Sequence, residues 1–226
     1  VLLIMLPRLL SSQFGFEDDG MSLAMARKFL SGMRMDSDDN LGFFRPLYWL
    51  GLVFEYGLGG THSFWFYFFN LLVLLIIVAE VLTLVRLKGG SVFQSSLIAV
   101  IFVLSAPIVE SFYTNSKPEA QQLMWLTSSL LTGHFLAHLQ GSRRLATFIA
   151  TTLFILFASL NKSTFIALVP ISFGWLVLCW LFIRQEKEEI KRAAYYFAST
   201  LLATVLFFIL RQLTLSTSIF EGTYAN

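Results

Sequence analysis

An all-α polytopic transmembrane bundle is the fold class this sequence predicts, and three observations predict it. Of the 226 residues 56% are hydrophobic and 13% charged, whereas a soluble domain carries about 25% charged residues. Apolar runs near the ~20 residues that a bilayer core requires recur along the chain. The segments between them alternate in charge. Mean hydropathy is +0.71, which leaves too little polar surface to coat a water-soluble globule.

The chain opens on VLLIMLPRLL. This lacks the basic n-region and small-residue cleavage site of a signal peptide. It reads as the outer end of a transmembrane helix whose start lies upstream, so the chain is expected to be one transmembrane domain, the N-terminal fragment of a longer protein. A long loop, 11–62, follows. Apolar runs then occupy about 64–85, 91–108, 121–139, 145–160, 163–183 and 195–215. With the first helix these make about seven spans. The run 145–160 is short, and Asn161-Lys162 separates it closely from the next, as in a tight helical hairpin. Backbone groups in lipid must be satisfied internally, so helices are expected throughout; no repeat, low-complexity tract or period-2 pattern suggests otherwise.

One set of connecting segments holds Arg86, Lys88, Arg143, Arg144, Arg184, Lys187, Lys191 and Arg192 against Glu186, Glu188 and Glu189. The other holds Glu17, Asp18, Asp19, Asp36, Asp38, Asp39, Glu55, Glu110 and Glu119. The positive-inside rule puts the first set in the cytoplasm and the long loop outside. A net charge of +2 argues against a nucleic-acid partner. Cys179 has no second cysteine to pair with and reads as a small buried hydrophobe.

Long loops in compact folds are usually functional. Within this one, residues 21–33 place Met21, Met25 and Phe29 at i, i+4 and i+8, with Arg27 and Lys28 toward another face. That pattern suits a short amphipathic helix on the outer membrane surface. Asp18 or Asp19 can cap it, or can act as a general base at the membrane boundary. Asp36, Asp38 and Asp39 read as a solvated stretch rather than a metal site.

Arg45, Lys117, Lys162 and Arg211 lie near the outer face. Together with the acidic pair they suit a phosphate-bearing lipid and a hydroxyl acceptor. Glu110, Tyr113, Asn115 and Glu119 share the second outer loop. His134 and His138 fall on one helix face without a third ligand, which favours interhelical hydrogen bonding over metal. Glu80 is expected to have an interior partner.

Four pieces in order carry a resemblance: FEDDG after the first helix; FFRPLYWLGLVFEYGLGGTHSFWFYFFNLL with Asn70; Pro107 to Glu110 followed by MWLTSSLL; and NKSTFIALVP. Together the order resembles the GT-C class of polytopic glycosyltransferases that use polyprenyl-phosphate sugars, most closely the O-mannosyltransferase-like membrane proteins. The chain differs from that pattern at Ser163, where an acidic residue is usual after the lysine, at Leu74 in place of a histidine, and at Ser128-Ser129 in place of Arg-Asp.

The resemblance implies a GT-C-like fold and an inverting sugar transfer on the outer (periplasmic, extracellular or lumenal) face. Asp19, or Asp18, takes the proton of the acceptor hydroxyl. Arg45, Lys117 and Lys162 bind the donor phosphate, and Glu110, Glu119 and Tyr113 position sugar or acceptor. The partners implied are the lipid-linked donor, a protein, glycan or lipid acceptor, and the bilayer, in the plasma membrane of a prokaryote. No cofactor is required; a divalent metal is compatible with the carboxylate pair. A polytopic transporter or lipid flippase is the competing reading, and a structural subunit a third.

Overall fold

The computed structural model describes residues 1–15, 18–32, 44–114, 117–183 and 186–214, with the side chains of 2–4 and 18 excepted. Ten α-helices are described: α1 (Leu2–Leu10), α2 (Asp18–Leu30), α3 (Pro46–Gly59), α4 (Ser63–Leu87), α5 (Val92–Leu104), α6 (Ala106–Tyr113), α7 (Glu119–Phe135), α8 (Gly141–Asn161), α9 (Leu168–Phe182) and α10 (Lys187–Thr214), with a 3₁₀ turn, Ser163–Ala167, before α9. No strand occurs among the described residues.

Four helical segments are long and apolar enough to cross a membrane: α4, α8, α10, and α9 with its 3₁₀ turn. α5 and α6 make a fifth if the bent pair is one span. The expectation of about seven spans is therefore reduced to four or five among the described residues. α1 has nine residues and α7 seventeen, and α7 carries Gln121, Gln122, Thr127, Ser128 and Ser129.

The breaks have local causes. The run expected at 91–108 stops at Leu104 and turns by 60° into α6. Pro107 lacks an N–H and fits only the first turn of a helix, and it sits in the first turn of α6. The Ser105 hydroxyl covers one carbonyl freed at the break by donating to Phe102 O at 2.7 Å. α5 starts on a capping box, Gln94 N to Ser91 Oγ at 3.2 Å and Ser91 N to Gln94 Oε1 at 2.8 Å, which satisfies two otherwise orphaned donors. α8 begins at Gly141 rather than 145 and is a full span of 21 residues. The expected 121–139 helix ends at Phe135.

Lipid, not water, suits the outer faces. On α4 Leu72, Leu75 and Ile76 are exposed; on α10 Leu201, Leu202 and Val205 are. Only 17% of the α4 window is buried inside the protein. Exposed apolar patches of this extent mark a nonaqueous contact.

Inside, one core joins α1, α4, α5, α6 and α7 through Met5, Tyr67, Leu74, Val103 and Phe112. A second joins α8 and α10 and takes Phe44 from the end of the long loop. In the third, α2 packs on α3 and α4 through Met25, Phe29, Trp49, Leu52 and Phe66. The long loop is therefore not one surface helix with irregular flanks: α3 is a second helix within it. α2 buries Asp19, Ser22, Met25, Ala26 and Phe29 against its neighbours, while Met21 is 59% exposed, so its inward face keeps Met25 and Phe29 of the expected stripe but leaves Met21 out. α3 instead leaves Leu50, Phe54 and Leu58 exposed, at i, i+4 and i+8.

The described members of the two charge sets sort to opposite ends of the bundle. At the basic end Lys88 meets Glu189 at 2.7 Å and Arg144 reaches the Tyr195 hydroxyl at 2.9 Å. At the acidic end Tyr67 donates to Gln13 O at 2.9 Å and Glu119 meets Lys162.

Candidate functional site at the acidic end

Asp19 lies in the first turn of α2 and is 4% exposed. Its Oδ2 accepts from Gly15 N at 2.6 Å, tying the backbone ahead of the helix to its first turn. Phe14, Leu23, Leu52 and Phe66 surround it, and the void beside it is too narrow for a water-sized sphere. Asp18 starts the same helix, but its side chain lies outside the described residues, as do Glu17, Asn115, Arg184 and the triplet Asp36, Asp38 and Asp39.

Next to Asp19, α3 carries its own polar group. Ser22 Oγ lies 3.5 Å from Tyr48 Oη. Burial pushes the Tyr48 phenol up, so it stays neutral. Arg45 is the N-cap residue of α3. Glu55 keeps part of its residue surface exposed, but protein crowds its carboxyl, and burial pushes its pKa up to about 8. A raised folded-state pKa means that folding takes up a proton between the ordinary 4.5 and about 8. Stability then falls as pH rises through that window, by at most about 1.4 kcal/mol per unit. Glu55→Gln is expected to flatten this slope and to unfold at a higher temperature than the parent at pH 8–9, read by thermal unfolding in detergent.

Lys162 closes α8 and pairs with Glu119 at the start of α7, their side chains 26% and 29% exposed. Gln122 Nε2 donates to Lys162 O at 3.1 Å, so α7 grips the α8 end through both backbone and side chain. Burial pushes the Glu119 carboxyl up, but the hydrogen bond and charge of Lys162 more than reverse this and hold it below the usual carboxylate range. Its second oxygen, Oε2, is buried with no hydrogen-bond partner among the described residues. Lys117 meets Glu110 at 3.3 Å on the surface, with Glu110 69% exposed, an arrangement worth little to stability. Two of the three cations expected at a donor phosphate are thus matched to carboxylates expected to position sugar, Lys162 with Glu119 and Lys117 with Glu110; Arg45 stands apart at the start of α3.

Lys162→Met is expected to lower stability by about 1–3 kcal/mol by leaving a half-buried carboxylate unpaired, with most of it restored in Lys162→Met/Glu119→Gln. Because the folded-state pKa is depressed, the Glu119 contribution is present above the ordinary 4.5 and lost as pH falls through the lower folded value. The parent–variant difference should therefore shrink on acidification.

Arg8, not among the residues singled out from sequence, joins this end. Its guanidinium stands 4.5 Å from the Tyr113 ring and 5.6 Å from that of Tyr67, within cation–π range. The only sequence cue was a charge directly after Pro7 in an apolar helix. Arg211 is buried in the last turn of α10. Gly51 of α3 faces Gln121 of α7 so closely that a Cβ would come within 2.5 Å of its amide; the loop helices are seated on the bundle there.

Elsewhere, Glu80 has interior partners: Ser128 Oγ donates to it at 2.5 Å, and Thr127 donates to its other oxygen. His138 Nε2 meets Arg192 Nη2 at 3.1 Å, but because α7 ends at Phe135 His138 lies in the turn after it, and the two histidines do not share one helix face. No three His, Cys, Asp or Glu side chains gather in a metal-binding group among the described residues. Comparison with protein-family models, curated proteins and solved structures returned no match for this chain.

Proposed function

We propose that the chain belongs to a membrane glycosyltransferase of GT-C-like architecture, moving a sugar from a polyprenyl-phosphate donor to an acceptor hydroxyl on the outer face. The observation that carries this reading is the Lys162–Glu119 pair at the α7–α8 junction, where Glu119 keeps one oxygen buried and unpartnered. A cation beside a buried acceptor suits a leaving phosphate and a hydroxyl. Arg45, Lys117 and Tyr113 lie at the same end. Asp19, held by Gly15 N, would take the acceptor proton. The acceptor attacks the anomeric carbon, the bond to the lipid phosphate oxygen breaks with inversion, and the cations offset the charge left on phosphate. The exposed ridge of α3 would lie in the outer interface, holding the loop helices at headgroup depth.

The second reading, a transporter, is favoured by Glu80: an ionisable group within a span is a functional candidate, and two α7 hydroxyls hold it. One set of membranes tests both readings. Full-length protein is given radiolabelled polyprenyl-phosphate sugars, and label transfer to an acceptor is counted beside label movement between leaflets. Transfer that survives Glu80→Gln and is lost on Lys162→Met supports the transferase. Leaflet exchange without transfer, lost on Glu80→Gln, overturns it in favour of transport.

A further inference from the structure

At the basic end, away from every residue of the proposed transfer site, a cavity of about 420 Å³ opens between two walls. α4 and α5 form one wall and α9 and α10 the other, over a floor from α7. Its volume falls within the range of ligand pockets, about 300–1,000 Å³. The sides are apolar, with Leu84, Ile98, Leu130 and Trp175. Ile98 and Leu130 are 45% and 43% exposed, as surfaces facing an unfilled gap are.

The polar groups stand together at the edge nearest the basic end: Lys88, His134 and Arg192. Arg192 is 5% exposed. Its Nη1 meets Glu189 at 2.5 Å and its Nε donates to His134 O at 3.1 Å. Lys88 meets the same Glu189 oxygen at 2.7 Å. One carboxylate thus faces two cations and leaves positive charge at the edge. His134 is 9% exposed, and its Nδ1 is buried without a partner among the described residues.

We propose that this cavity binds one hydrocarbon chain of an anionic membrane phospholipid, with the phosphate seated at the Lys88–Arg192 edge. The apolar sides need a chain that water does not compete for. The edge needs a negative headgroup. A free phosphate would leave the apolar volume empty, and a zwitterionic headgroup would bring a second cation beside Lys88. Basic pockets between transmembrane helices on the cytoplasmic side take acidic lipid headgroups, and the charge distribution assigns this end to that side.

The test is native mass spectrometry of the full-length protein after reconstitution with phosphatidylglycerol and phosphatidylcholine of identical chains. Phosphatidylglycerol is expected to be retained at least ~10-fold over phosphatidylcholine. Leu130→Trp, which fills the cavity from its floor, should abolish retention of that lipid. Lys88→Gln should reduce the preference below ~3-fold. Each variant is checked for parental helicity and unfolding temperature, and Ile98→Trp fills the same space from the opposite wall if Leu130→Trp fails that check. Equal retention of the two lipids, or a preference untouched by the filling variant, overturns the proposal. Sugar transfer is not read in this experiment, so its outcome is independent of the transferase reading.

Discussion

Asp19→Asn is expected to cut sugar transfer by about 10²–10⁴-fold while leaving the unfolding temperature near that of the parent. The magnitude is that of removing a general base. Asparagine keeps a side-chain carbonyl at the position of the carboxylate, so Gly15 N still has its acceptor and stays tied to the first turn of α2. What is lost is the negative charge and the capacity to take a proton. Asp19→Ala removes both, and should add a stability loss of about 1 kcal/mol for the unmade hydrogen bond. A purely structural Asp19 predicts a different pair of results: full transfer in the asparagine variant and reduced stability in the alanine one. Measuring transfer and unfolding on the same two variants separates the roles. The burial of Asp19 adds a requirement. Among the described residues the void beside it is too narrow for a water-sized sphere, and widening it for an acceptor calls for a shift of α2 from α3 and α4 during turnover.

Gly133→Val is expected to destabilise the protein by about 3 kcal/mol, a loss typical of forcing extra carbons into a packed interior. A Cβ on Gly133 would stand 2.7 Å from Tyr196 Cδ2 and 3.2 Å from its Cε2. The Tyr196 ring is held in place by its neighbours. It is 4% exposed, packs edge-on against Trp175 at 5.8 Å between ring centres, and shares a 2.8 Å hydrogen bond with Ser129. The sign of a smaller change is informative. Glycine inside a helix costs about 1 kcal/mol relative to alanine, so Gly133→Ala would stabilise an open position. Here it should destabilise instead, and Tyr196→Ala in the same chain should make it neutral or favourable. Denaturant or thermal unfolding in detergent of the four variants of that cycle reads the coupling directly.

What could be read from the sequence followed from how much each feature depends on composition. The spans α4, α8, α9 and α10 were legible because unbroken apolar runs need no knowledge of neighbours. Charge alternation placed Lys88 with Glu189 at one end and Glu119 with Lys162 at the other. α3 was hidden because fourteen residues cannot cross a bilayer, and its glycines and Glu55 sit well in a loop. The bend after Leu104 was written in Pro107, yet an apolar window reads straight through a proline. For α2, a helix could be placed by pattern, but which of its faces turns inward depends on where Tyr48, Trp49 and Leu52 stand. Pairings such as Lys162 with Glu119, 43 positions apart, are set by packing of α7 on α8 and leave no local trace. Asp19 stood out as one of an acidic pair, but its bond to Gly15 is a matter of loop geometry.

The break between α5 and α6 bears on the surrounding lipid. α5 has thirteen residues and so rises only about 20 Å, against a hydrocarbon layer of about 30 Å. Its neighbour α4, with 25 residues, reaches about 37 Å. On the α5 flank the acyl chains meet a short wall with α6 turned by 60° at its end, and one adjustment to such hydrophobic mismatch is a locally thinner leaflet. Thinning brings headgroups toward the midplane on that side. Beside α5 a lipid's polar part then has a shorter distance to travel into or out of the membrane than beside α4.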